Sequence, residues 1–252
     1  MNGSIECIVD ENDCGDLSRR QFLGQTIGGV TAAVAVAGAG VRVASAAGNA
    51  QRMPSFATDH APQPLPFDAS SLRGLSQRII ESHWANNYGG SVKALNEINR
   101  RLSQALAEPD LPAYVYNDLK REHLMRTGSV VLHELYFGNL GGSGKAGSDI
   151  SAALASAFGD FNRWETEFRR IAAGLGGGSG WVMLGFNRQF GTLENYWMAD
   201  HLHCPVATEP LLVLDMYEHS YHMDFGAAAA RYIDAFFDNI NWEAVSARLE
   251  SL

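Results

Sequence analysis

The sequence predicts an α+β protein: an N-terminal long α-hairpin domain followed by a C-terminal α/β domain with a three-stranded antiparallel sheet. Two observations carry that reading. Between residues 71 and 137 apolar residues recur at helical spacing over two long stretches. From residue 181 the pattern shortens to β-rich runs separated by turn residues. The composition, 46% hydrophobic and 19% charged over 252 residues, supplies enough apolar material for a real core. A formal charge of -9 with no basic run outside the N-terminus argues against a surface that neutralises phosphates, so no nucleic-acid partner is expected.

Residues 1–46 read as a leader. Arg19 and Arg20 precede an Ala/Gly/Val-rich stretch that ends at Ala44-Ser45-Ala46, a small-residue cleavage pattern. Ser18-Arg19-Arg20-Gln21-Phe22-Leu23 resembles a twin-arginine export signal, which implies delivery by machinery that carries folded proteins and a periplasmic or secreted location. Thr26 to Gly40 is too short and too Gly-rich to span about 30 Å of hydrocarbon, so no stable membrane span is expected in the mature form. Cys7 and Cys14 lie in the leader, and Cys204 alone cannot form an internal disulfide.

The Pro-containing stretch 47–65 reads as an extended arm. In the expected hairpin domain, 66–142, the first helix runs from Ser71 to about Leu106, with Leu72, Leu75, Ile79, Ile80, His83, Val92, Leu95, Ile98 and Leu102 on one stripe. Gly89-Gly90 is its expected point of distortion. The second runs from about Pro112 to Phe137 and stops at glycines. In the C-terminal domain, 143–252, "SDISAALASAFGDFNRWETEFRRIAAGL" predicts two helices, with Ser148 or Asp149 capping the first. Trp181 to Phe186, Thr192 to Met198 and "PLLVLD" then predict three strands before closing helices.

Asp215 and His219 are four apart, so on one helical turn both face the same way and form a plausible ligand pair. Alone the spacing is weak, because a histidine on such a turn is commonly a hydrogen-bonded core residue. His83 and His133 lie on the apolar stripes of the two hairpin arms, and antiparallel packing brings those stripes together. Buried imidazoles facing Asp215 and His219 would be costly to leave unpaired. Three imidazoles and a carboxylate suit iron, manganese or zinc, with room for a bound solvent.

The stretches "LPFDASSL", "IIESHWANNYGGSVKALN", "GSGWVML", "PLLVLDMYEHSY" and "YIDAFFDNINWEAV" resemble iron/manganese superoxide dismutases, from about Leu65 to Leu249. The resemblance implies one mononuclear iron or manganese ion, iron being preferred, on His83, His133, Asp215 and His219. It also implies superoxide as substrate and a homodimer, with a tetramer possible. His201 falls where the family places the residue that reaches the metal-bound solvent, since Ser129, the helical alternative, is too short. Trp181 and Tyr217 would wall the site. Glu218 would hydrogen-bond the partner protomer's ligand histidine.

The departures from the family are as informative. Where the family has a channel His and Tyr, four and eight residues beyond the first ligand, this chain has Asn87 and Ser91. Tyr88 lies about 100° from Asn87 on a helix and cannot replace that Tyr without a distortion at Gly89-Gly90. Ser91 is expected to leave a wider, wetter opening. His222 stands where a Tyr is usual and is expected to face the partner's copy of position 87. Two alternatives follow: a divergent redox enzyme that uses another substrate on the same cage, or a non-catalytic metal-binding dimeric protein.

Overall fold

A computed structural model describes residues 52–252, and the leader reading lies outside them. The described part of the arm contains a short 3-10 turn, Pro54–Phe56, whose Phe56 is buried. The first helical segment, α1 (Gln77–Ser82), starts six residues later than the apolar stripe suggests. Ser76 decides the start: its Oγ accepts Ile79 N–H at 3.2 Å as an N-cap, while Leu72 and Leu75 reach the core from the preceding loop.

A wide turn, His83–Tyr88, follows α1 and leads into α2 (Gly89–Ala105). Gly89 N–H donates to Trp84 O, five residues back, so the helix is distorted one turn earlier than Gly89-Gly90. The helix α3 (Ala113–Gly138) packs along α2. Asn139 closes its C-terminus and donates from Nδ2 to Val213 O at 2.9 Å, binding the helix end to the sheet.

After α4 (Ser148–Phe158), which Gly147 rather than Ser148 or Asp149 precedes as cap, comes α5 (Phe161–Leu175), capped by Asp160. Three strands, β1 (Trp181–Asn187), β2 (Thr192–Met198) and β3 (Thr208–Asp215), pair antiparallel in the order β2-β1-β3. The central strand is apolar and buried along almost its whole length, as burial on both faces requires, and β3 is buried over its second half. The register aligns Trp181 with Met198 on one side and Asp215 on the other. Gly180, at φ 141°, permits this end row: a Cβ there would come within 2.5 Å of Met198 O.

A 3-10 turn, Glu218–Ser220, and the short α6 (His222–Phe225) lead to α7 (Ala229–Asp238) and α8 (Trp242–Glu250). The core joins Leu95, Leu102 and Tyr136 of the helical region to Trp164, Phe168, Val182, Leu212, Tyr232 and Phe236. No helix among the described residues is long and apolar enough to cross a membrane.

Candidate metal centre

His83, His133, Asp215 and His219 converge, each offering one ligand atom, with those atoms all within 4.8 Å of one another. His83 is the first residue of the wide turn, His133 sits in the last two turns of α3, and Asp215 ends β3. Asp215 and His219 do not share a helical turn, as their spacing had suggested. The chain leaves the strand, and Tyr217 N–H donates to Asp215 Oδ1 at 2.8 Å, folding the next residues back so that the 3-10 turn presents His219. Ser220 Oγ and the Tyr232 hydroxyl both donate to Asp215 O, at 3.0 and 2.7 Å.

The carboxylate oxygen Asp215 Oδ2 is the focus. It lies 3.2 Å from His83 Nε2, 3.2 Å from His219 Nε2 and 3.6 Å from His133 Nε2. His83 Nε2 is nevertheless off the line of a hydrogen bond, and both ring nitrogens of His83 and Nε2 of His133 are buried without a partner. On His133 the tautomer follows from its neighbours: Nδ1 lies 2.6 Å from Ser129 O, which can only accept, so the proton is on Nδ1. Its Nε2 lone pair therefore faces the lone pairs of a carboxylate. A cation between them removes that repulsion and pairs His133 Nε2 and the His83 Nε2 that faces the same carboxylate, so this donor set fits a metal ion, while His83 Nδ1 would stay outside it.

Electrostatics agree with neutral imidazoles at His83 and His133 beside an ionised acid. Burial holds the His133 pKa down at about 3 and also lowers that of His83. Burial pushes the Asp215 carboxyl up, but the imidazoles of His219 and His83 outweigh it and hold it well below the ordinary carboxylate range.

The wall is aromatic. Trp181 packs edge-on to His133, with ring centroids 5.2 Å apart, and its Nε1–H donates to His201 Nδ1 at 3.0 Å. His201 stacks on Tyr217 at 4.7 Å, and Tyr217 stacks on His219 at 5.3 Å. His201 reaches this place because Gly128 on α3 has no side chain: a Cβ there would lie 2.0 Å from His201 O. Burial lowers the His201 pKa.

Ser91 is buried, and its Oγ shares a 2.8 Å hydrogen bond with Ser129 Oγ. It does not line an opening, which corrects the wider, wetter mouth expected from its size. Two small hydroxyl residues facing each other across α2 and α3 pair instead of exposing space. Asn87 is half-buried and outside the cluster, while Tyr88 is buried with its ring 6.3 Å from His133. Glu218 and His222 are exposed, and His219 keeps 25% of its side chain open, against 1% or less for the other three.

Sequence reasoning missed Gly128, Tyr232 and the carbonyl of Ser129. The i,i+4 spacing of Ser129 and His133 was the available signal for the last; nothing local marks the other two.

The family model for iron/manganese superoxide dismutases, C-terminal domain, matches residues 146–248. A protein of Cupriavidus metallidurans named superoxide dismutase [Fe] is 46% identical over 186 residues, 74% of this chain and 94% of that protein. One of Aquifex aeolicus with the same name is 34% identical over 71% of this chain and 86% of its own length. A superoxide dismutase [Mn] of Mycolicibacterium fortuitum is 31% identical over 73% of this chain and 89% of its own length.

Proposed function

The chain belongs to the iron/manganese superoxide dismutase family, and from that premise we propose that it converts superoxide to dioxygen and hydrogen peroxide. The ion would be held by His83, His133, Asp215 and His219. The observation that carries the reading is the bare Nε2 of His133, facing the Asp215 carboxylate beside the unpartnered nitrogens of His83. A bound iron or manganese ion would supply the one-electron chemistry by which one superoxide is oxidised to dioxygen and a second, with two protons, is reduced to hydrogen peroxide.

The protein's own residues do the rest. Ser129 O fixes His133 with its proton on Nδ1 and its lone pair inward. Asp215, kept ionised, balances the charge of the ion. The Trp181 indole can only donate, so His201 Nδ1 accepts and the His201 proton sits on Nε2. A second proton on Nδ1 would set two N–H groups against each other, which keeps His201 a neutral, one-proton donor in the wall of the site. Trp181 and Tyr217 exclude bulk water on that side.

Iron is the preferred ion, supported by the iron-named relative at 46% identity, whereas the manganese-named one stands at 31%. The open side of His219, beside exposed Glu218 and His222, supports a homodimer in which a second copy covers that face. A long α-hairpin supplying His83 and His133, and export of the folded chain by the twin-arginine route, complete the reading. The rival of a larger substrate on the same cage loses its support with the burial of Ser91.

The deciding experiment purifies the protein with its native metal, quantifies the ion and follows superoxide decay directly. About one ion per chain and decay well above that of the free ion are expected. Stoichiometric metal without acceleration would sink the dismutase reading. Unchanged processing of the precursor in cells lacking the twin-arginine translocase would sink the export reading.

A further inference from the structure

The turn that begins on His83 and ends on Tyr88 is the least regular piece of the helical region. In an α-helix these positions, five apart at about 100° each, would lie roughly 140° apart and face different neighbours. Here both rings meet the same two. His83 lies 5.0 Å from His133 and 5.1 Å from Phe137, and Tyr88 lies 6.3 and 6.2 Å from them. The five-residue hydrogen bond from Gly89 to Trp84 has swung Tyr88 onto the His83 face.

Groups from other parts of the chain hold it there. The Tyr88 hydroxyl donates to Glu134 Oε1 at 2.7 Å and accepts Gln63 N–H at 2.8 Å, while the Trp84 indole donates to Gln63 O at 2.8 Å. Glu134 follows His133 on α3. Gln63 belongs to the arm, which is fastened along α2: His60 N–H and C=O bond the Asn96 side chain at 2.8 and 2.9 Å, and Met53 N–H donates to Ser103 Oγ at 2.9 Å. One phenol oxygen thus joins the arm, the wide turn and α3. Burial pushes its pKa up to about 12, so it remains a donor at neutral pH.

We propose that Tyr88 is a positioning residue whose hydroxyl, held between Gln63 and Glu134, keeps the His83–Tyr88 turn wide and so aims His83 into the cluster. Relaxation to a regular helix would rotate His83 against α2 by about 100°, one residue's worth, and take its ring away from Asp215. The consequence for metal rests on the function proposed above; the conformational claim does not.

Tyr88→Phe keeps the ring and removes both hydrogen bonds. Glu134→Ala removes the acceptor at an exposed position that the fold tolerates, and Glu134→Gln restores an acceptor. Amide hydrogen exchange of residues 84–89 in the metal-free protein, referenced to α7, reads the turn. Chelator competition reads the affinity for iron or manganese. Tyr88→Phe and Glu134→Ala should speed exchange in the turn roughly tenfold or more, as expected for a lost hydrogen bond to a charged group. They should leave α7 unchanged and weaken ion binding by a similar factor, with Glu134→Gln close to the parent.

Equal turn exchange in all four proteins, or acceleration shared equally by α7, overturns the proposal. Faster turn exchange with unchanged ion binding overturns the aiming role. A parent protein that binds no ion overturns the dismutase reading instead, while the exchange comparison still decides whether Tyr88 holds the turn.

Discussion

The sheet side and the helical side of the cluster bring their residues to one point by different means. Asp215 ends a strand whose register against Trp181 is set by the β1 ladder, and three hydrogen bonds from Tyr217, Ser220 and Tyr232 grip its carboxylate and carbonyl. Its supports come mainly from its own segment. On the helical side, His133 rides a regular helix and is steadied one turn back by Ser129. His83 sits on an irregular turn tied to Gln63 and Glu134, 25 and 46 residues from Tyr88 in sequence. A strand end carries its own frame, whereas a side chain on a bent helix depends on distant partners. Asn87 and Ser91, where the resemblance leads a channel His and Tyr to be expected, lie on this second, externally supported side.

The largest expected effect breaks the cluster at its focus. Asp215→Ala should lower metal affinity by more than the roughly 10–100-fold that loss of a group supporting a ligand costs. Quantification of the ion after dialysis against a chelator would show it, and retained stoichiometric metal would contradict the geometry.

Acid tests both sides together. His133 and His83 are bases whose folded pKa values are depressed, so between the unfolded value of 6.5 and about 3 for His133 the unfolded chain binds more protons than the folded one. Stability of the metal-free protein should therefore be full above pH 6.5 and fall progressively as the pH drops below it. Asp215, also depressed, adds to the loss below its unfolded value of 3.8. Urea unfolding at pH 7, 5.5 and 4.5 would reveal the slope; a midpoint that rises on acidification would exclude neutral buried imidazoles.

Gly128→Ala probes the contact between the two sides. Its Cβ would collide with His201 O, and overpacking of this kind costs about 1–3 kcal/mol. The Trp181 fluorescence should change with it, because the His201 ring that accepts from that indole must move. Tyr232→Phe is the smallest change. It removes one of three bonds that grip Asp215 and should cost about 1 kcal/mol in urea unfolding, with metal stoichiometry retained since Tyr217 and Ser220 still hold the strand end.

Much of this was legible beforehand. Strand boundaries at Trp181 and Thr192 follow from β-rich runs broken by turn residues, and the end of α2 and the extent of α3 from apolar periodicity. His83, His133, Asp215 and His219 stood out because polar groups on apolar stripes or at the end of an apolar strand need partners. The start of α1 was misplaced because Leu72 and Leu75 continue the helical stripe by coincidence of spacing, although a loop delivers them to the core and Ser76 caps the helix. Ser91 was misjudged because side-chain size says nothing about what stands opposite; Ser129 does, 38 residues away.

By itself the sequence determined which residue types are available and where helices and strands can run, since those depend on backbone preferences and short periodicities. Tertiary structure alone decided which nitrogen of His133 carries the proton, that Asp215 and His219 meet through an Asx-type turn, and that Tyr88 shares a face with His83. The first two outcomes are short-range hydrogen bonds whose direction is fixed only by the folded backbone around them, and the third needs Gln63 and Glu134 brought from distant parts of the chain.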